Sequence, residues 1–377
     1  MKIVQLVKHK NKNWQYLTPN LKLKKPLVLV FGNRFQLEEP TVYNNIKTIF
    51  PDGHIVFAST SGNITSQTIE AECITITAIE LEKSSFKVKT INLSQTNLNS
   101  FDAGVKLVNQ LKGEHLKYIL VISDGSFVNG SELTKGMNWV SDNNVLITGG
   151  LCGDDARFER TLVAYNENPK DGEIVAIGFY GATFEASSSV YGGWQPFGPE
   201  RIVTKAKGNI LYELDHQPAL NLYKRYLGEK SAQLPLSALY YPLKVTPKNE
   251  DHSYVRTILN ISEEHNAMIF AGDIPVDAKV QLMMTNVESL AKASEEATKQ
   301  ALVNKSQKPD LAILVSCIGR KLVLDQRAIE EVEESRMVLN NAIPMCGFYS
   351  YGEIAPFNEE NMCQLHNQSM AITLISE

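Results

Sequence analysis

The chain has 377 residues, 43% of them hydrophobic and 21% charged, with a formal net charge of −5. That length leaves room for two or three ordinary domains, each able to bury a core of its own. The acidic balance, with no basic stripe, gives nucleic acid nothing to grip and excludes it as an expected partner. The opening "MKIVQLVKHKNKNW" sets lysines among its apolar residues and lacks the apolar core of a secretory signal. No apolar run approaches the roughly 18 residues that a membrane helix needs. No membrane insertion and a cytoplasmic location are therefore expected. Cys73, Cys152, Cys317, Cys346 and Cys363 are odd in number and scattered, with no C-x-x-C pair. This argues against a disulfide framework or a thiolate zinc site, and predicts mostly buried, small apolar side chains.

In chain order, three segments follow one plan. They are "LVLVFGNRFQLEEPTVYNNIKTIFPDGHIVFASTSGNI" (27–64), "ILVISDGSFVNGSELTKGMNWVSDNNVLITGGLCGD" (119–154) and "AILVSCIGRKLVLDQRAIEEVEESRMVLNNAIPMCGFYSYGE" (312–353). Each has a short apolar run, a small-residue turn, a helical pattern, a second short run and a closing loop with glycine. Leu133, Met137 and Val140 recur at helical spacing in the second, and Ile329, Val332 and Leu339 in the third. The flanking runs are apolar throughout, as strands covered on both faces are, so each segment is read as a βαβ unit with parallel strands. Between the first two, "ECITITAIEL" and "KVKTINL" alternate like antiparallel strands, and "FDAGVKLVNQLK" places Phe101, Val105, Val108 and Leu111 on one helix face. Further strands are expected over 161–214, with "KGN" (207–209) as a hairpin turn. "DHQPALNLYKRYLG" carries a helix start with proline and a glycine just past the end, and a helix is predicted over 285–305. The fold class expected is α/β, with two modules, mixed β-sheets, repeated βαβ units and pseudo-symmetric layered packing. Glycine, proline and serine cluster over 188–200 and mark the boundary, dividing the chain into 25–195 and 196–377.

The closing loops align as "ASTSGN", "GGLCGD" and "YSYGE", with Gly62, Gly153 and Gly352 each followed by a polar or acidic residue. Ligands of open α/β sheets sit outside the carboxyl ends of strands, so these loops are read as the rim of a site. The segments "GGLCGDDARFERTLVAY", "GEIVAIGFYG", "GGWQPFGPERIVTKAKGNILYELDHQPALNLYKRYLG", "SCIGRKLVL", "GFYSYGEIAPF" and "LHNQSMAITLIS" resemble the FIST sensory family, N-terminal and C-terminal modules together, over roughly residues 25–375. The resemblance implies an intracellular signal-transduction input module. It implies a small ligand, amino acids among the candidates, and a separate output partner such as a histidine kinase or a cyclic-di-GMP enzyme. One branch of the family binds haem and senses nitric oxide, and a eukaryotic branch is joined to an F-box.

A carboxylate-bearing or amino-acid-like ligand needs backbone N–H groups in a concave turn, a cation and directed polar groups. The glycine loops offer the first and Arg320 a guanidinium fork for the second. Asp154 or Glu353 would hold an ammonium, and Tyr349 and Tyr351 would wall the pocket. Simple packing or an ion pair is the competing role for each. Haem, the cofactor that the resemblance brings in, needs an axial ligand facing an apolar slot. With no C-x-x-C-H for covalent attachment, His216, which stands where the family commonly has glycine, and His366 are the candidates among seven histidines. An enzyme would have to use Cys317 or Ser126, and no base can be named for either. No catalytic role is therefore expected. An interaction scaffold without a ligand is the remaining alternative.

Overall fold

Each expected parallel pair forms. In the computed structural model, which describes residues 1–250, 252–303, 305–357 and 362–377, Leu27–Gly32 runs parallel to His54–Ser59, Leu116–Ser123 to Leu146–Leu151, and Leu311–Cys317 to Met345–Ser350. The crossovers carry the helices Val42–Ile49, Gly130–Val140 and Ile329–Val338. Each pair is extended by two antiparallel strands. Cys73–Glu80 and Lys2–His9 complete the first unit, Glu173–Tyr180 and Ser85–Asn92 the second, and Met370–Ser376 and Glu185–Tyr191 the third.

The units are tied in a ring by exchanged edge strands. Asn63–Thr65, which follows the second parallel strand of the first unit, pairs with Met345–Ser350 of the third. Val163–Tyr165 leaves the second unit to pair with His54–Ser59 of the first. Gly352–Pro356 leaves the third to pair with Leu146–Leu151 of the second. The backbone hydrogen bonds that would otherwise be unmet at each sheet edge are thus met by the neighbouring unit.

Side chains from all three sheets meet in one core, including Phe31, Leu120, Ile177, Val315 and Phe348. The outer faces are covered by helices, with separate apolar clusters beneath each set. Burial on both faces is why the parallel strands are apolar throughout. The helix Ser100–Leu111 buries Ala103, Gly104, Leu107, Val108 and Leu111, so its inner face is rotated from the one expected; Phe101 and Val105 lie at its margin. The reason is a close helix crossing. A Cβ on Gly104 would stand 2.4 Å from Leu133 O, and one on Gly136 2.0 Å from Phe101 O. The helix expected over 285–305 forms as Val287–Val303, and residue 304 lies outside the described residues.

Between Glu185–Tyr191 and the helix Val287–Val303 the chain builds a further antiparallel sheet from eight strands, starting with Gln195–Lys207 and ending with Lys279–Met284. The turn at Gly208 and Asn209 joins Gln195–Lys207 to Ile210–Leu214, as the hairpin signal implied. The helix Ala219–Leu227, with Pro218 at its N-cap and Gly228 at its C-cap, packs on this sheet over a core of its own that includes Leu211, Tyr223 and Phe270. This inserted sheet is joined to the three-unit body by linkers at both of its ends.

Candidate functional site

The three glycine loops meet at the carboxyl ends of the parallel strands. Ser61 N donates to Tyr349 O at 2.9 Å, Gly153 N to Ser59 O at 3.0 Å, and Tyr351 N to Leu151 O at 3.0 Å, so each loop is bonded to the next unit. Gly62 has φ +140°, and a Cβ on Gly153 would come 2.3 Å from Ser61 Oγ. Close backbone approach is what these glycines permit. Gly352 is packed against Leu365. Lys321, from the helix Ile318–Leu324, donates to Ser61 O at 2.6 Å and pairs with Asp155 at 3.4 Å, bridging all three units. The junction is packed rather than hollow.

The expected charged residues are engaged within it. Asp154 is fully buried and its Oδ1 lies 3.0 Å from Arg34 Nε and 2.7 Å from Arg157 Nη2. Arg320 is fully buried and bonds Glu331 Oε2 through Nε (2.9 Å) and Nη2 (2.8 Å). Its remaining bonds go to Gly192 O (2.6 Å), Leu290 O (2.8 Å) and Ser294 Oγ (3.1 Å). Gly192 lies on the outgoing linker of the inserted sheet and Leu290 in the first turn of the helix Val287–Val303, to which the chain returns, so this guanidinium holds both. Tyr349 donates to Glu331 Oε1, and burial first, then that carboxylate, raises its pKa. Glu353 accepts from Ser350 Oγ (2.7 Å) and from Ser369 Oγ (2.8 Å); burial pushes its carboxyl up to about 8. Of the residues picked from sequence, Gly62, Gly153, Asp154, Tyr349 and Arg320 are thereby linked through the junction, and Glu353 sits apart in its own serine cage.

Tyr351, 9% exposed, reaches the edge of a cavity. It lines a cleft of about 500 Å³ between the three-unit body and the inserted sheet. The body supplies the loop 125–130, Phe158 and Glu159, and the insert supplies Leu259 and Gly272. The first loop is shaped by Asp124, fully buried, whose Oδ1 accepts from Ser126 N (2.7 Å) and Phe127 N (2.6 Å) while Oδ2 accepts from Gly172 N (3.0 Å). Burial raises the pKa of this carboxyl. Asn129 then caps the helix Gly130–Val140 by accepting from Glu132 N at 3.1 Å. Phe158 has φ +53°, an uncommon backbone for a bulky residue. Its N–H donates to Tyr351 Oη at 3.0 Å, and the two rings stack with centroids 4.6 Å apart. Phe127 and Phe158 remain 60% and 38% exposed, so two phenylalanines anchored through their backbone N–H groups carry rings that reach solvent. Phe127, Phe158, Glu159 and Leu259 were not singled out from sequence; for Phe127 the available signal was the Asn-x-x-Glu helix start that begins one residue after "DGSF".

A larger groove, of about 730 Å³, lies at the opposite, amino-terminal ends of Leu116–Ser123 and Leu146–Leu151, among Lys112, His115 and Asp142. Strand carboxyl ends are the general location for ligands, and the smaller cleft is the one found there. His216 is exposed in a turn at φ +61° with its N–H bonded to Thr204 Oγ1. His366 is buried, with Nε2 3.0 Å from Ala355 O and its ring stacked on Phe357; burial lowers its pKa to about 4. All five cysteines are buried and unpaired, and burial pushes the Cys317 thiol well up. Ser126 lines the cleft with Oγ 3.5 Å from Thr161 Oγ1. Among the described residues no three His, Cys, Asp or Glu side chains are grouped to hold a metal ion, and no helix is long and apolar enough to cross a membrane.

Comparison with known proteins agrees with the motif resemblance. Residues 26–217 match the FIST N domain and residues 219–356 the FIST C domain. An uncharacterized protein of Methanocaldococcus jannaschii is 29% identical over 208 residues, which are 50% of this chain and 38% of that protein. An uncharacterized protein of Mycobacterium tuberculosis is 24% identical over 244 residues, 60% of this chain and 59% of its own. The matched regions thus span less than two thirds of these relatives' own lengths. With both of its domains matched in order, the chain belongs to the FIST family of sensory, signal-input domains.

Proposed function

We propose that the cleft between the three-unit body and the inserted sheet receives a small ligand, amino acids among the candidates, and that occupancy is read by a separate partner. A histidine kinase or a cyclic-di-GMP enzyme is the partner class this reading takes from the family. The observation that carries it is a cleft lined from both sides, with the backbone of Phe127 and Phe158 held by hydrogen bonds to Asp124 and Tyr351, their rings exposed and the Phe158 ring stacked on Tyr351. If 25–195 and 196–377 are taken as the two modules, Phe127 and Glu159 come from the first and Leu259, Gly272 and Tyr351 from the second. A ligand touching both biases their arrangement by its difference in affinity between arrangements. In this reading Gly62, Gly153, Asp154 and Gly352 form the bed beneath the cleft and Tyr351 its floor. Arg320, Tyr349 and Glu353 act from within the body rather than on the ligand. A haem reading lacks comparable support, since His366 is tied to Ala355 O and His216 sits in an exposed turn.

Thermal shift with a metabolite panel tests this. A ligand present at about 100 times its Kd stabilises the protein by about 2.7 kcal/mol, which raises Tm by several degrees. The Phe127→Ala/Phe158→Ala double variant should fold and lose that shift. A compound that stabilises wild type and double variant equally would place its site elsewhere.

A further inference from the structure

The cleft is rich in aromatic surface and carries one kind of charge. Among the described residues that line it, Glu159 is the only charged side chain, and no lysine or arginine is present. Nearby cations are already engaged: Arg34 and Arg157 share Asp154, and both guanidinium groups lie over the Phe35 ring, at 4.4 and 4.9 Å. The positive end of the helix Gly130–Val140 also meets protein carboxylates. Glu132 sits in its first turn, and Asp273 of the inserted sheet lies 3.4 Å from Asn129 Nδ2 and 3.4 Å from Lys135 Nζ. An entering carboxylate therefore finds no side-chain cation to replace its water.

A cation finds more. Glu159 is fixed beside Phe158 by one bond, from Arg34 Nη2 to Oε2 at 3.0 Å. The faces of Phe127 and Phe158 offer the negative quadrupole that attracts an ammonium, and the stacked Phe158–Tyr351 pair offers a flat wall for a ring. Resting on the assignment of the cleft as the ligand site, we infer that it selects aromatic amines: a flat apolar body stacks on Phe158, and an ammonium is held by Glu159 and the exposed phenylalanine faces. For an α-amino acid this makes the ammonium and the side chain the recognised parts, with the carboxylate left toward water.

Binding of 2-phenylethylamine and of its near-isosteric carboxylate 3-phenylpropionate, followed by ligand-observed NMR titration, tests the inference on the full chain. The amine should bind at least about tenfold tighter. Glu159→Gln should weaken it by about threefold to tenfold, and Phe158→Ala or Phe127→Ala by about tenfold. Two single aromatic variants are used so that the result does not rest on one of them folding. If 3-phenylpropionate binds as well as or better than the amine, and the aromatic variants abolish it, the inference fails and the cleft stands. If neither probe binds in a way that depends on Phe127 or Phe158, the assignment of the cleft falls, and the inference with it.

Discussion

Glu353 holds a carboxyl group in complete enclosure, and its chemistry sets a pH dependence for the whole chain. Its pKa is raised from 4.5 to about 8, chiefly by burial, against hydrogen bonds from Ser350 and Ser369 that act the other way. Between those two values the native state keeps a proton that the unfolded chain releases. The native state thus binds more protons, and its stability falls as pH rises across that window, by at most about 1.4 kcal/mol per pH unit. Glu353→Gln removes the term, so urea unfolding between about pH 5 and about pH 8 should show a flatter profile and a variant that gains on wild type as pH rises. An unchanged slope would mean that Glu353 is not protonated in the native state. His366 works in the opposite sense. Its pKa falls from 6.5 to about 4, so it costs stability as pH drops through that interval. Sequence located Glu353, Arg320 and Tyr349 at the ends of strands, where site residues gather, yet it could not show what else reaches them. Glu331, 11 residues beyond Arg320, turns beneath it and takes its charge.

Among the elements, the repeat was legible and the exchange was not. Long apolar runs with a helical pattern between them report parallel strands because burial on both faces forces that composition. The exchanged strands are short, three residues in Asn63–Thr65 and in Val163–Tyr165. Segments of that length carry no period from which a partner sheet can be read. The buried face of the helix Ser100–Leu111 differs from the expected one because glycine adds nothing to an apolar pattern, although Gly104 is where this helix lets its neighbour approach. The outgoing linker of the inserted sheet and the start of the helix Val287–Val303 are held by Arg320 of the Arg320–Glu331 pair, which is buried at both ends. Arg320→Met strands the Glu331 carboxylate in the interior and should cost about 3–5 kcal/mol in chemical denaturation, with Glu331→Gln in the same chain recovering part of it. A loss below about 1 kcal/mol would show that these two segments are held by other contacts.

In the whole molecule, three units close on one another through exchanged strands while the inserted sheet is carried on two linkers, and the cleft lies between the two. The body is the more constrained part. Each of its sheets is completed by a strand from another unit, so one unit cannot open without disturbing its neighbours. The insert meets the body through side-chain ties, among them Arg256 Nη1 to Leu365 O at 2.9 Å and Gln368 Nε2 to Leu239 O at 3.1 Å. In the proposed reading, a ligand lodged between them would alter their relative position, and that shift would be the signal. Sequence indicated a site at the carboxyl ends of the parallel strands but not the wall opposite, because Leu259 and Gly272 reach the cleft only through the folding of the insert. The most direct measurement is amide hydrogen exchange of the full chain with and without the strongest stabilising compound from the panel. Slower exchange in both 125–130 and 258–273 is the predicted result. Protection confined to 112–117 and 141–145, at the opposite ends of the strands, would contradict the account.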